Sequence, residues 1–197
     1  MRIELTHGGW VDWFEDWLRP ETADALRPQL EAQLAWEQRS IRLFGKEVAQ
    51  PRLVAWCGDL PYRYSGLTLP PRSWPASCLQ LQQRVEAHAG LEFNHLLGNL
   101  YRTGYDSMGF HADDEPELGA DPTLASLSFG ASRRFVIKPK SRCDGTKLEL
   151  ELRHGSLLVM GGSLQHHYLH GVPKQPAICE PRINLTFRRL LRGPSDA

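Results

Sequence analysis

The chain lacks net charge, paired cysteines, long apolar runs and internal repeats, and each absence removes a class of function. Twenty-three basic residues balance 23 acidic ones, so no global basic field draws in a polyanion, and any such partner must be met by a local patch. The four cysteines, Cys57, Cys78, Cys143 and Cys179, contain no C-x-x-C pair. That spacing argues against a zinc ribbon, a redox motif or a disulfide framework and favours a reducing compartment. No stretch approaches the ~20 apolar residues of a membrane span, and Met1 to His7 carries no apolar leader core. A cytoplasmic protein without a membrane partner is therefore expected. The length, 197 residues, suits one domain (1–197) whose core needs no covalent staples.

What is present changes character along the chain. Trp10, Trp13, Phe14 and Trp17 have helical spacing, but the residues between them leave helix and extended chain open. Pro20 to Leu34 reads as a helix with a Leu26, Leu30, Leu34 stripe, and Pro28 predicts a kink or a later start. Pro75 to Ala89 reads as a second helix with Cys78, Leu81, Val85 and Ala89 on its buried stripe and Gly90 as its stop. From residue 91 to 190, short apolar or alternating runs are separated by Gly, Pro and Asp. They are His95–Tyr101, Leu124–Phe129, Phe135–Lys138, Lys147–Leu152, Ser156–Met160, Gln165–Leu169 and Ile183–Phe187. The pattern predicts a mainly β fold with flanking helices, a sandwich or jelly roll preceded by a helix-containing region over 1–90.

Three pieces in order carry the chemistry: His111-Ala112-Asp113, then His170, then Arg182 to Arg188. Two imidazoles and one carboxylate can hold one face of an Fe(II) ion and leave positions open. Arginines downstream can clamp a dicarboxylate placed against that metal. Alone, each piece has an ordinary explanation, as a chance triplet, a core histidine or solvated charges. Strand parity strengthens the set. His111 and Asp113 are two apart and share a face, as do Arg182, Asn184, Thr186 and Arg188, whereas Ile183, Leu185 and Phe187 take the apolar face. A polar inward face is costly unless something polar sits against it. Three local basic groups are also present. They are Arg133, Arg134, Lys138, Lys140, Arg142 and Lys147; Arg39, Arg42, Lys46 and Arg52; and Arg188, Arg189 and Arg192. A solvated face is the simpler explanation of each.

With these residues in view, the chain from about Ile41 to Leu190 resembles the AlkB family of iron- and 2-oxoglutarate-dependent nucleic-acid dealkylases. The stretches that carry the resemblance are Pro51-Arg52-Leu53, Pro61 to Gly66, Asn99-Leu100-Tyr101-Arg102, His111 to Glu115, Ala125 to Gly130, His154 to Leu158 and Arg182 to Arg188. The resemblance implies a double-stranded β-helix (jelly-roll) core over 91–190 and a nucleotide-recognition lid within 1–90. It implies His111, Asp113 and His170 as Fe(II) ligands, and Arg182, helped by Tyr101, on the distal carboxylate of 2-oxoglutarate. Asn99 and Arg188 would contact the co-substrate nearer the metal, with Asn184 and Thr186 on the remaining polar side. O2 is the third cofactor implied.

The resemblance further implies a monomer acting on alkylated DNA or RNA with N1-methyladenine- or N3-methylcytosine-type lesions. At least one of Tyr62 and Tyr64 would stack on an extruded base, the other being free to serve the core. Asp114 and Glu115 would contact its exocyclic amine and positive charge, with capping or orienting the loop as the alternative role of Glu115. Arg52 would reach a phosphate or the pocket, or serve in a salt bridge. Duplex-probing relatives carry a hydrophobic wedge that Trp36 to Arg42 does not offer, so single strands are the expected substrate. Two other functions fit the same residues less well. One is a same-cofactor hydroxylase of a protein or small molecule; the other is a non-catalytic jelly-roll binding protein. A structural zinc site would be incomplete without thiolates. Replacing His111 or Asp113 by Ala is expected to abolish turnover with folding largely intact.

Overall fold

The computed structural model describes residues 1–43, 46–64, 67–141 and 145–191. Strands β1 (Arg2–Glu4) and β2 (Gly9–Phe14) open the chain. The tryptophan-rich run is thus extended, with Val11 and Trp13 inward in alternation. Helix α1 (Pro20–Gln33) begins on Pro20, whose ring suits a first turn, and passes through Pro28. Strands β3 (Glu37–Leu43) and β4 (Lys46–Gly58) pair as antiparallel neighbours, followed by the short pair β5 (Tyr62–Tyr64) and β6 (Leu67–Leu69). Helix α2 (Ala76–Ala89) follows Pro75 and stops at Gly90, whose left-handed φ of 67° is available to glycine at little cost. The second half contains β7 (His95–Tyr101), β8 (Met108–His111), β9 (Leu124–Gly130), β10 (Arg133–Pro139) and β11 (Leu148–Leu152). It ends with β12 (Leu157–Gly162), the helical turn α3 (Leu164–His167), β13 (Tyr168–Val172) and β14 (Arg182–Arg188).

The strands form an eight-stranded sheet in the order β1-β2-β12-β9-β14-β7-β4-β3 and a four-stranded sheet in the order β11-β10-β13-β8. One apolar cluster lies between the helices and the large sheet and joins Leu26, Leu30, Leu81 and Val85 to Leu127, Ile183, Leu185 and Phe187. A second lies between the sheets and includes Val11, Trp13, Leu124, Phe135, Ile137 and Met160. A sheet buried on both faces has to carry side chains that satisfy two environments. β14 does so by strict alternation, and all seven of its residues are buried.

Two expectations change. Residues 165–169 do not form one strand. Ser163 O accepts the amides of His166 and His167, which closes a helical turn, and the strand starts only at Tyr168. The large sheet is also not confined to 91–190, because residues 2–58 supply β1 to β4 and cover the edges that β12 and β7 would otherwise expose. No helix among the described residues is long and apolar enough to cross a membrane.

Candidate metal centre and anion clamp

The side chains that could hold a metal ion come from three places that the small sheet brings together. His111 ends β8, and its register partner across the strand pair is His170 on β13. Asp113 lies just beyond β8, where its backbone amide donates to Gln165 Oε1 at 3.0 Å. One ligand atom from each of the three residues falls within 4.8 Å of the others. His111 Nε2 is 3.6 Å from Asp113 Oδ1, while His111 Nδ1 is 3.0 Å from the Gly109 carbonyl oxygen. That carbonyl keeps the proton on Nδ1 and leaves the Nε2 lone pair for a cation.

Electrostatics prepare the same set. Burial would raise the Asp113 carboxyl, but Arg188, His111 and His170 outweigh it and hold it down to about 2. Its Oδ2 accepts from Arg188 Nη2 at 2.9 Å in a pair almost free of solvent, while Oδ1 is buried with no hydrogen-bond partner. Burial, with His111 and Arg188 nearby, pushes His170 down to about 3 and keeps it neutral. Two imidazoles and one anionic carboxylate with an unsatisfied buried oxygen fit a divalent ion such as Fe(II).

The candidate anion clamp is built on β14 and its two neighbours. In register, Tyr101 of β7 and Gly130 of β9 flank Arg182, and Asn99 and Ser128 flank Asn184. Arg182 is buried, and its Nη2 donates to Ser128 Oγ at 2.9 Å. Its Nε and Nη1 are buried without a hydrogen-bond partner, and the Tyr101 ring centre lies 5.2 Å from the guanidinium carbon. Burial pulls Arg182 down to about 10, against the favourable influence of Tyr101, so it stays cationic at neutral pH. Leaving charged donors unsatisfied in the interior costs free energy, and a carboxylate accepting both restores it. Asn184 Nδ2 donates to Ser126 Oγ at 2.7 Å, and Thr186 Oγ1 donates to Asn184 Oδ1 at 3.2 Å. Asn99, Tyr101, Arg182, Asn184, Thr186 and Arg188 thus line one pocket with His111, Asp113 and His170. Met108, Phe135, Met160 and Val172 supply its apolar wall.

The residues expected to meet substrate divide differently. Tyr62 is fully buried rather than an open stacking face; its hydroxyl donates to Glu115 Oε2 at 3.0 Å, and its ring meets His95 edge-on at 4.8 Å. The side chain of Tyr64 lies outside the described residues. Glu115 is half-buried, and burial followed by Asp113 raises its carboxyl above the usual range. Asp114 is exposed, with Oδ2 3.2 Å from Lys140 Nζ. Arg52 is buried rather than presented on the surface, and its Nε donates at 2.7 Å to Oδ1 of Asn99, which lines the pocket. Arg133 is also buried rather than solvated, donating to the carbonyls of Asp106 at 2.8 Å and Pro173 at 3.0 Å. Arg142 and Arg192, together with the side chain of Arg42, lie outside the described residues. Ser126, Ser128 and Gln165 carry no site role in the sequence reading. The alternation of small polar residues on β9 marks the two serines, whereas nothing in the local sequence marks Gln165.

Comparison with known proteins places these residues in context. A sequence model described as the 2OG-Fe(II) oxygenase superfamily matches residues 11–188. The alpha-ketoglutarate-dependent dioxygenase alkB homolog 3 of Bos taurus is 44% identical over 183 residues, covering 89% of this chain and 64% of that protein. The DNA oxidative demethylase ALKBH2 of Bos taurus is 41% identical over 159 residues, covering 77% of this chain and 57% of that protein. The chain therefore spans less than two thirds of the length of these relatives. The solved structure of OsALKBH1 superposes with a TM-score of 0.63 at 20% identity, over 91% of this chain and 97% of that one, and shares its fold.

Proposed function

The chain belongs to the 2OG-Fe(II) oxygenase superfamily, which implies Fe(II), 2-oxoglutarate and O2. From that premise we propose that it oxidatively removes N-linked methyl groups of the N1-methyladenine and N3-methylcytosine type from DNA or RNA, preferring single strands. The observation that carries this proposal is the juxtaposition in one pocket of the His111, Asp113, His170 donor set and the unsatisfied Arg182 guanidinium. The names of the two relatives, a dioxygenase and a DNA demethylase, supply the substrate class.

His111, Asp113 and His170 hold the metal, and Arg182 holds the far carboxylate of 2-oxoglutarate through its two unsatisfied nitrogens, with Tyr101 beside it. Asn99 is fixed by Arg52 and presents its remaining polar atoms to the same pocket. Arg188 anchors the outer oxygen of Asp113, which keeps the other oxygen aimed inward. Bound Fe(II), 2-oxoglutarate and O2 supply hydroxylation of the methyl carbon, with release of CO2 and succinate, after which the hydroxymethyl group leaves as formaldehyde. The apolar wall of Met108, Phe135, Met160 and Val172 limits water. Glu115, held by Tyr62, places a carboxyl group where a cationic methylated base enters. The β5 and β6 pair serves as the lid over that base, and the enzyme works as a monomer.

Mass spectrometry tests the proposal directly. Oligonucleotides carrying either lesion, single- or double-stranded, are incubated with Fe(II), ascorbate and 2-oxoglutarate. Loss of the methyl group with stoichiometric succinate is expected, faster on single strands. Succinate formation with every methyl group retained would exclude the nucleic-acid substrate while leaving the cofactor chemistry in place.

A further inference from the structure

The exposed aromatic surface lies beside the pocket. Among the described residues, Tyr105 and Phe110 are the aromatic side chains left exposed, at 64% and 42%, and both belong to the segment that runs into His111. Phe110 immediately precedes that ligand on β8, the edge strand of the small sheet. Met108 and His111 line the pocket, and Gly109 and Phe110 between them are exposed.

Lys138 completes the feature. It lies on β10 two strands away, and its Nζ reaches 3.9 Å from the centre of the Phe110 ring. Neighbouring cations have carboxylate partners: Arg134 and Lys147 meet Glu149, Arg102 meets Asp106, and Lys140 meets Asp114. Among the described residues, Lys138 has an aromatic face in place of a carboxylate. Lys140, just beyond the end of β10, pairs with Asp114, next to Asp113. An exposed ring with a cation over it, one residue from the reacting centre, offers a π face for a base and a charge for a phosphate.

We propose that Phe110 and Lys138 form a docking platform for the single-stranded segment that flanks the reacting base. Phe110 stacks on a neighbouring base and Lys138 meets a phosphate. The proposal rests on the nucleic-acid function proposed above and gives its strand preference a physical cause. Inside a duplex both faces of a base are covered by the stack, so only an unpaired base has a face to offer Phe110.

The test is a fluorescence-anisotropy titration with a labelled, unmodified single strand of about ten nucleotides and with its duplex. Wild type, Phe110→Ala and Lys138→Ala are compared over a salt series. Both positions are on the surface, and circular dichroism melts confirm that each variant is folded. Phe110→Ala is expected to weaken single-strand binding about tenfold with the salt dependence unchanged. Lys138→Ala is expected to reduce the slope of log K against log salt by about 0.7. Unchanged single-strand binding by Phe110→Ala overturns the platform, whatever Lys138→Ala does, and so does an equal loss on the duplex. The mass-spectrometric assay separates the two claims. Binding through Phe110 without demethylation removes the proposed reaction and keeps the platform, whereas demethylation with unchanged Phe110→Ala binding does the reverse.

Discussion

Asp113 meets three demands at once. Its amide is held by Gln165, one oxygen by Arg188, and the other oxygen faces the pocket. Asp113 is therefore expected to contribute to folding as well as to metal binding, whereas His111 has no such buried ion pair among the described residues. Asp113→Ala removes the carboxylate from a buried ion pair, which typically costs about 3–5 kcal/mol. We predict that the apo Asp113→Ala protein melts several degrees below wild type while His111→Ala melts close to it, with neither variant turning over. Equal melting temperatures would show the Arg188 contact to be energetically neutral. Arg182→Lys keeps the charge but loses the planar fork. It is expected to raise the 2-oxoglutarate concentration needed for half-maximal succinate formation at least tenfold, and an unchanged requirement removes Arg182 from the clamp.

His95 supplies a pH-dependent prediction. It is buried under Tyr62, both ring nitrogens lack a hydrogen-bond partner, and burial, followed by Arg188, pushes it down to about 3. Between about pH 6.5 and 3 the unfolded chain takes up a proton that the folded His95 refuses. Stability is therefore full above 6.5 and falls as pH drops through that window, by at most about 1.4 kcal/mol per pH unit for one group. His95→Phe should flatten the dependence of the urea midpoint between pH 7 and pH 5. If wild type and variant change in parallel, His95 is not a source of the acid sensitivity. His170 acts in the same direction and remains in both proteins.

At the scale of elements, β14 was the most legible part of the chain. Its seven residues alternate without interruption, and the structure sends the two sets to the two faces that alternation requires. The helices were legible from their ends, where Pro20, Pro75 and Gly90 act through local backbone geometry. Residues 165–169 were not, because so short a run of mostly polar and aromatic residues fits a strand and a helical turn equally, and only the Ser163 carbonyl accepting the His166 and His167 amides distinguishes them. The basic character of Arg52 and Arg133 was visible, but their burial depends on carbonyl and amide acceptors from distant segments. Gly130 ends β9 opposite Arg182 with φ 84°, and a Cβ there would collide with the Pro181 carbonyl oxygen. Gly130→Ala is predicted to destabilise the fold by at least about 1 kcal/mol and to weaken 2-oxoglutarate binding, read by thermal melts with and without the co-substrate.

At the scale of the whole molecule, the site depends on residues that carry none of its chemistry. β2 covers β12, β4 covers β7, and the two helices bury the apolar face of β14. A fragment comprising residues 91–190 holds every metal and clamp residue yet leaves that face and both strand edges open. It is predicted to show no cooperative thermal transition and no metal binding by calorimetry. A folded, metal-binding fragment would establish that the first ninety residues are a separable addition.

The sequence by itself determined the ligand types, their order and the alternation that puts Arg182, Asn184, Thr186 and Arg188 on one face, because strand periodicity and donor chemistry are local properties. Tertiary structure alone decided that Tyr62 faces Glu115, that Arg52 serves Asn99, that Arg188 holds Asp113 and that Phe110 remains exposed beneath Lys138. Each of these joins residues from separate strands or from the segments between them. Such contacts follow from which strands lie side by side, and strand order is set by burying the whole sheet rather than by any one segment.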